Sequence, residues 1–201
     1  MSPASPRIAP RPPEEWDDDA VTALRDAFGV AAADRLLADD PDTPTMPNVL
    51  ATLLRHPALT GPFLSYNNVL LRTPTLEPRW RELVVLRVAW RTRSEYEWAQ
   101  HVRMATRFAI TADEVDAIAQ GAEADRWSTL ESDLLRATDE LLDESRIHDD
   151  TWARLAATLD ERQLIELTFV VGTYTCLAMV FNSIGLRLDD ELAGLAPLPS
   201  P

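Results

Sequence analysis

The feature that most constrains the fold is a nearly continuous series of helix-length segments, in which apolar residues recur every three or four positions. Apolar and polar residues do not alternate over any useful strand length. Proline clusters before Glu14, around positions 41–47 and at the C-terminus. The pattern therefore predicts an all-α fold. The predicted helices span residues 17–28, 31–37, 47–55, 61–71, 78–91, 94–109, 111–120, 128–142, 149–159 and 160–186.

The two ends of the chain differ from its middle. Residues 1–15 are rich in Pro, Arg and Ser and lack the apolar core of a signal peptide, which predicts a disordered leader on a cytoplasmic protein. No apolar stretch approaches the length of a membrane span, so no membrane association is expected. Residues 16–195 are predicted to form a single all-α domain. It comprises a core motif at 57–121 and a second, degenerate repeat at 128–188.

Composition narrows the possible functions. A net charge of −14 and a pI of about 4.5 argue against nucleic-acid binding. All 19 cationic residues are Arg, so Schiff-base chemistry on Lys is excluded. The single cysteine, Cys176, rules out an intrachain disulfide or a CxxC redox pair, and its apolar surroundings predict a buried side chain. We expect no metal and no cofactor.

A faint internal repeat relates the two halves of the helical region. When the segment that begins at Glu82 is laid over the segment that begins at Gln163, His101 aligns with Asn182. The second copy therefore carries neutral amides where the first carries an acid and a base. Chance matching of two amphipathic segments remains the alternative. If the duplication is real, we expect the chemistry to reside in the first copy.

The strongest candidate site lies between the helices predicted at 78–91 and 94–109. Ser94, Glu97 and His101 are three and four residues apart, so a helix places them on one face. The free N–H groups and the positive dipole end of that helix favour an anion such as a carboxylate or enolate. Glu82, on the preceding helix, is expected to approach His101 and hold its tautomer. A carboxylate–imidazole pair poised near neutral pH suits general acid–base catalysis.

Ordinary structural roles also account for these residues. Ser94 and Glu97 fit a capping box at a helix start. Glu97 and His101 fit a helix pair worth about 0.3 kcal/mol. Tyr96 and Trp98 are typical of packing residues rather than of a stacking platform for a ligand.

The segment from Glu82 to His101, with Tyr96-Glu97-Trp98 and the following stretch 110–115, resembles the carboxymuconolactone decarboxylase and alkylhydroperoxidase D superfamily. The resemblance covers roughly residues 57–188. It implies an alkylhydroperoxidase D-like helical fold with two degenerate helical repeats. In alkylhydroperoxidase D, the active site contains a Glu, a CxxC pair and a His. Glu82 and His101 match the first and last of these residues.

Ser94 and Glu97 occupy the positions of the two cysteines, so the chain resembles a subgroup that lacks the CxxC pair. Peroxide reduction requires a thiolate and a resolving thiol, and Ser and Glu cannot replace them. The decarboxylase branch implies a cofactor-independent lyase or isomerase acting on a small organic acid or lactone. His101 is then the predicted general acid–base, Glu82 orients it, and Glu97 is a second carboxyl or a substrate contact. The predicted substrate-binding residues are Ser94, Tyr96 and Trp98.

Two other functions stay open on the same fold. One is a non-catalytic protein for small-ligand binding or assembly, because the second copy shows how readily the ionisable pair can be lost. The other is a residual alkylhydroperoxidase that uses Cys176 alone. An open pocket around a bonded Glu82–His101 pair would favour an enzyme, whereas side chains splayed into solvent would favour binding.

The resemblance also implies a homo-oligomer, from a dimer through a trimer to a hexamer. The helix predicted at 160–186 is apolar nearly all round over positions 164–180, which predicts full burial. Such a chain is not expected to cover the apolar side chains of segment 57–71 as well, so this segment is the predicted interface. These side chains are Phe63, Leu64, Leu70 and Leu71. The alternative is an N-terminal region that folds back over this surface and leaves a monomer.

Overall fold

The structure is a computed structural model that describes residues 5–38, 45–194 and 197–200. This part of the chain is helical and contains no β-strand, so the predicted all-α class is confirmed. Its α-helices are α1 (Asp18–Phe28), α2 (Val30–Leu37), α3 (Asn48–Leu53), α4 (Pro57–Arg72), α5 (Pro78–Arg91), α6 (Glu95–Ala105), α7 (Ala112–Ala117), α8 (Thr129–Glu144), α9 (Asp149–Ala156) and α10 (Glu161–Ile184). Short 3₁₀ helices occupy Pro13–Glu15, Thr106–Phe108, Ile118–Glu123 and Asp190–Leu192.

Capping boxes form at the starts of α7 and α8. The Thr111 hydroxyl accepts the Glu114 N–H, and the Glu114 carboxylate accepts the Thr111 N–H. Ser128 and Glu131 form the same reciprocal pair at the start of α8. These bonds satisfy N–H groups that the first turn of a helix leaves without a partner.

The helix that carries His101 is shorter than predicted. It ends at Ala105 and continues as a 3₁₀ turn, and Ala109 then adopts the left-handed conformation with φ 54°. The Ile110 N–H donates to the Ala105 carbonyl at 3.1 Å, and the Ile110 side chain is buried. The helix therefore stops where the chain turns to bury Ile110, which the helical periodicity of the sequence did not reveal.

The chain divides into two compact units by its backbone contacts, and the single domain predicted over 16–195 stays a prediction. Unit 1 comprises residues 1–73 and 184–189, and unit 2 comprises residues 74–183 and 190–201. The boundary after residue 73 places α4 in unit 1 and the rest of the predicted core motif in unit 2.

Unit 1 is built around the crossing of α1 and α4. Gly61 on α4 lies so close to α1 that a Cβ at this position would be 3.3 Å from the Ala23 Cβ. Two of the α4 side chains expected to need a partner chain, Leu64 and Leu70, are buried, whereas Leu71 is exposed. The unit 1 core consists of Ala20, Ala23, Leu24, Ala33, Leu54 and Leu64.

Part of the predicted leader makes backbone contacts within unit 1. The Arg7 N–H donates to the Ile184 carbonyl at 2.7 Å, and the Arg11 N–H donates to the Ala51 carbonyl at 2.9 Å. Residues 1–4, which also belong to the predicted disordered leader, lie outside the described residues.

Unit 2 is organised around α5, on which an unbroken run of residues from 81 to 89 is buried. Arg87 in this run donates to the Ile118 carbonyl at 2.6 Å and to the Asp139 carboxylate at 2.8 Å. Gly121 has φ 67°, and a Cβ there would lie 2.6 Å from an Arg87 guanidinium nitrogen. Glycine is therefore required at this turn both by its conformation and by the space available. The surrounding apolar cluster comprises Leu83, Leu86, Ala89, Trp98, Ala105, Ile110, Val115, Ile118 and Leu135.

Helix α10 departs from its prediction of full burial. One side packs into the protein, whereas Ile165, Phe169 and Met179 are 57%, 53% and 64% exposed. Cys176 is also exposed, so the prediction that it is buried is wrong. Its apolar neighbours in sequence lie on different faces of the helix, and burial of some of them does not extend to Cys176.

The expectation that no stretch reaches membrane-span length is also wrong for α10. By length and composition alone this 24-residue helix can cross a membrane, with a mean hydropathy of 1.8 over its most apolar 18 residues. Such a helix is weak evidence for a membrane span, because the core helix of a soluble protein passes the same test.

Candidate active site

Unit 2 brings together the acid and the base that the sequence analysis paired. The Glu82 Oε1 atom on α5 lies 2.8 Å from the His101 Nδ1 atom on α6. Glu82 is 1% exposed and His101 is 7% exposed. The two residues are 19 positions apart, and the turn between α5 and α6 folds one helix back beside the other. A buried carboxylate and an imidazole are thus held in direct contact.

The contact determines which nitrogen of His101 is available for chemistry. When Nδ1–H donates to the Glu82 carboxylate, Nε2 keeps its lone pair and can accept a proton. The carboxylate also stabilises the imidazolium formed by that transfer. The pair has the arrangement that a general base and its orienting acid require.

Glu97 lies one helical turn before His101 and is 3% exposed. Neither of its carboxyl oxygens has a hydrogen-bond partner among the described residues. Burial raises the pKa of Glu97 to about 7, although the nearby Ser94 hydroxyl and His101 act in the opposite direction. Near neutral pH this carboxyl is therefore present in both its protonated and its ionised form.

Ser94 does not form the capping box predicted with Glu97. It occupies the N-cap position of α6, yet its side chain makes no capping bond, and its Oγ atom is buried without a partner among the described residues. Both side chains needed for the box are present, but Glu97 is buried near His101 instead of returning its carboxylate to the Ser94 N–H. The capping interpretation of Glu97 is consequently wrong.

Tyr174 is a neighbour of the site that the sequence analysis missed. Its ring contacts the His101 ring edge to face, with centroids 5.2 Å apart. Burial and the Glu82 carboxylate both raise the pKa of Tyr174, so its hydroxyl stays protonated. Tyr174 comes from α10, where the alignment of the two copies pairs it with Arg93 and gives no hint of a role.

Tyr96 and Trp98 occupy packing positions. Trp98 is 1% exposed and belongs to the unit 2 core, although its Nε1–H has no partner among the described residues. The Tyr96 ring packs edge-on against Phe181, with centroids 5.5 Å apart. Their predicted contact with substrate stays a prediction.

The two residues that align with Glu82 and His101 in the second copy lie far apart. Gln163 and Asn182 lie on the same continuous helix, α10, so a rise of about 1.5 Å per residue separates them by roughly 28 Å. Gln163 caps the start of α10 with Asp160 and donates to the Thr75 carbonyl, whereas Asn182 donates to the Thr92 carbonyl. Both residues thus have structural roles in unit 2.

A cavity of the described residues is lined by side chains of unit 1, and neither Glu82 nor His101 is among them. It has a volume of about 800 Å³ and lies within unit 1, between α1 and the first turns of α4. Of the two features expected of an enzyme, the described residues of unit 2 provide the bonded Glu82–His101 pair. In the described part of the chain, no three His, Cys, Asp or Glu side chains are grouped to hold a metal ion.

Comparison with known proteins supports the resemblance found in the sequence. Residues 57–140 match the carboxymuconolactone decarboxylase family, and this region contains Glu82, Ser94, Glu97 and His101. No curated protein matches the sequence.

Solved structures with the same fold cover nearly the whole chain. One is a peroxidase-related protein from Silicibacter sp. TM1040, with a TM-score of 0.73, 14% identity, and 96% of this chain and 97% of that chain covered. Another is a peroxidase-related protein with an alkylhydroperoxidase AhpD core from Ralstonia eutropha JMP134, with a TM-score of 0.71, 18% identity, and 96% and 100% covered.

A third is a cysteine-to-alanine variant of the debrominase Bmp8 in complex with 2,3,4-tribromopyrrole, with a TM-score of 0.69, 14% identity, and 92% of each chain covered. At these identities the comparisons establish the fold. The chain thus has a carboxymuconolactone decarboxylase-type region within an alkylhydroperoxidase D-like fold, and the recognition made from the sequence is confirmed for that superfamily.

Proposed function

We propose that this protein is a cofactor-independent enzyme that transfers protons on a small organic acid or lactone, as a lyase or an isomerase. The observation that carries the proposal is the buried Glu82–His101 contact of 2.8 Å, one helical turn from a carboxyl that has no partner among the described residues. Burial strengthens each electrostatic interaction of the pair and excludes bulk water that would compete for the proton.

His101 is the proposed general acid–base, because its Nε2 lone pair is free when Nδ1–H donates to Glu82. In an isomerisation, Nε2 removes a proton from carbon and returns it at another carbon. In a decarboxylation, His101 first takes up a proton from solvent water at Nε2. The C–CO₂⁻ bond then breaks, CO₂ leaves, and the imidazolium protonates the resulting carbanion. Neither the isomerisation nor the decarboxylation needs an external reductant or oxidant.

Glu97 is proposed as the second carboxyl of the reaction. A carboxyl with a pKa of about 7 can donate a hydrogen bond or a proton under conditions where an exposed Glu is ionised. Ser94, Tyr96 and Trp98 are retained as proposed substrate contacts. The debrominase relative binds 2,3,4-tribromopyrrole, and this supports a small-molecule ligand for the fold.

The test is exchange of carbon-bound hydrogen with deuterated water for a panel of small organic acids and lactones. We expect His101→Ala to lower exchange or turnover at least about a hundredfold. His148→Ala provides a matched control, because His148 is half-exposed and bonded to Glu144 on the surface. Circular dichroism checks that both variants keep their helices. Near-normal turnover in folded His101→Ala contradicts the proposal.

A second candidate is a non-catalytic ligand-binding or assembly protein. The observation that supports it is the limited access to the proposed base, because only 9% of the His101 side chain is exposed to an approaching substrate. Ligand binding without hydrogen exchange or turnover on any acid or lactone of the panel would support this alternative.

A residual peroxidase is the least favoured function. Cys176 is exposed but has no second cysteine in the sequence to resolve a sulfenic acid. A peroxide assay comparing the wild type with Cys176→Ser decides this point, and unchanged activity excludes the cysteine.

We also propose that the protein works as a homo-oligomer in the cytoplasm, without nucleic-acid or membrane partners.

A further inference from the structure

The start of α6 carries two buried polar side chains that no described residue satisfies. Ser94 is fully buried and Glu97 is 3% exposed. The Ser94 Oγ atom and both Glu97 carboxyl oxygens lack a hydrogen-bond partner in the described part of the chain. A buried polar group without a hydrogen-bond partner destabilises a folded protein. Native proteins retain few such groups, so two of them on one helical turn need an explanation.

Glu97 is present in its protonated form as well as its ionised form near neutral pH, because burial raises its pKa to about 7. His101, which is paired with the Glu82 carboxylate at 2.8 Å, and the nearby Ser94 hydroxyl act against this rise of the pKa without cancelling it. From α10, Tyr174 faces the same groups, and both Glu82 and Glu97 act electrostatically on its hydroxyl. Arg81, a cation on α5, is buried and also acts on Tyr174.

A protonated Glu97 and the Ser94 hydroxyl give two O–H donors on one face of α6. The positive end of the α6 dipole lies at the same turn, because Ser94 is the N-cap residue. Two donors beside a positive dipole end complement an acceptor oxygen that carries or gains negative charge. They do not complement an ammonium group, which has no acceptor to offer.

We propose that Ser94 and Glu97 form an oxyanion-binding pair that holds the carbonyl oxygen of an enolisable substrate. This inference rests on the proposed function and specifies its substrate class as carbonyl compounds that react through an enolate. When His101 Nε2 removes a proton from the adjacent carbon, the C–H electron pair forms a C=C bond and the carbonyl π pair moves to oxygen. In a decarboxylation, the electron pair of the broken C–C bond reaches the same oxygen. The charge therefore develops between the two donors.

A phenolate is a suitable probe, because it presents the localised oxygen charge of an enolate and cannot undergo the reaction. The wild type is titrated with 4-nitrophenolate, and binding is followed by its absorbance. Nitrobenzene, which has the same ring without the oxygen, reports the apolar contribution alone. We expect the phenolate to bind at least about tenfold more tightly than nitrobenzene, the factor for one charge-assisted hydrogen bond.

Variants on one helical turn assign the effect to the pair. Glu97→Leu should weaken phenolate binding at least about tenfold, and Ser94→Ala should weaken it severalfold. Glu95→Leu is the matched control, because Glu95 is exposed on the same turn, and its binding should stay within about twofold. Glu97→Gln keeps a donor and should retain most of the affinity, so it also serves if Glu97→Leu fails to fold.

The experiments can overturn the oxyanion-binding pair and the proposed function independently of each other. Equal binding of phenolate and nitrobenzene, or unchanged binding in both Glu97→Leu and Ser94→Ala, overturns the oxyanion pair. Hydrogen exchange that depends on His101 but not on Glu97 or Ser94 also overturns it and leaves the proposed function standing. Phenolate binding with the expected variant pattern, but without exchange on any carbonyl compound tested, supports the pair and overturns the proposed function.

Discussion

His101 and Tyr174 meet edge to face, with their ring planes at 79°, so a residue of α10 limits the movement of the proposed base. Tyr174→Phe keeps the ring contact, and we expect turnover within about threefold of the wild type. Tyr174→Ala leaves a cavity beside the imidazole and should lower stability by about 3 kcal/mol or more. Steady-state kinetics and urea denaturation check both outcomes. Equal turnover in the wild type and Tyr174→Ala would show that the contact does not position His101.

The charge of Glu82 is predicted to matter more than its shape. Glu82→Gln can still accept the His101 Nδ1–H, but it cannot stabilise the imidazolium formed during proton transfer. We therefore expect turnover to fall at least about tenfold while the fold is kept. Glu140→Gln is the control, because Glu140 is a partly buried carboxylate that bonds Thr151 on another helix. Loss of activity in both variants would indicate a general effect of removing a carboxylate.

Glu97 should make stability depend on pH with a definite sign. Its folded-state pKa of about 7 lies above the ordinary value of 4.5, so the folded protein binds the proton more tightly than the unfolded chain. The corresponding stability is fully present below pH 4.5, is lost as the pH rises to about 7, and amounts to roughly 3 kcal/mol.

Denaturation of the wild type and Glu97→Gln across pH 5–8 checks this dependence. Glu97→Gln should remove most of the decline, because a glutamine has no proton to lose. Parallel stability curves for the two proteins would contradict the assignment of the decline to Glu97.

Replacing Gly121 or Gly172 with alanine should change the stability of the protein in opposite directions. Gly121→Ala forces a Cβ onto the Arg87 guanidinium at a φ of 67°, and it should destabilise unit 2 by about 2 kcal/mol or more. Gly172→Ala meets open space within α10 and should stabilise the protein by up to about 1 kcal/mol. Thermal unfolding of both variants tests the pair. A Gly121→Ala variant as stable as the wild type would show that Arg87 can move away.

The proposed oligomer predicts a solution mass above 22.5 kDa by light scattering in moderate salt. Val69 on α4 is 57% exposed and Phe169 on α10 is 53% exposed, so a charge at an interface position should lower that mass. Val69→Glu tests the predicted α4 interface, and Phe169→Glu tests the exposed side of α10. A monodisperse species with the mass of one chain at micromolar concentration would refute the oligomer.

Local sequence signals predicted where the helices begin and end better than they predicted how the helices pack. The boundaries of α5 were predicted to the residue, because proline opens this helix and its apolar spacing is regular. The Glu82–His101 contact was also expected, since two adjacent helices joined by a short turn bring their side chains together. Both features depend on residues close in the sequence.

Features that depend on tertiary environment were not predictable in this way. The capping motif at Ser94 and Glu97 is correct in residue type, but the Ser94 N–H donates to the Ala89 carbonyl at 2.9 Å and no side-chain cap forms. Tyr174 reaches the site only because α10 packs beside α6. The exposed side of α10 shows the same limitation, because apolar composition does not reveal how much surface the remaining helices can cover.

The unbroken course of α10 sets a limit on how this protein can be engineered. Replacing Gln163 with glutamate and Asn182 with histidine would give the second copy the ionisable groups of the first. The two side chains would still lie near opposite ends of one helix. The missing component is a chain reversal like the one that places α6 beside α5. A second reaction centre would therefore require an inserted loop before any exchange of side chains could have an effect.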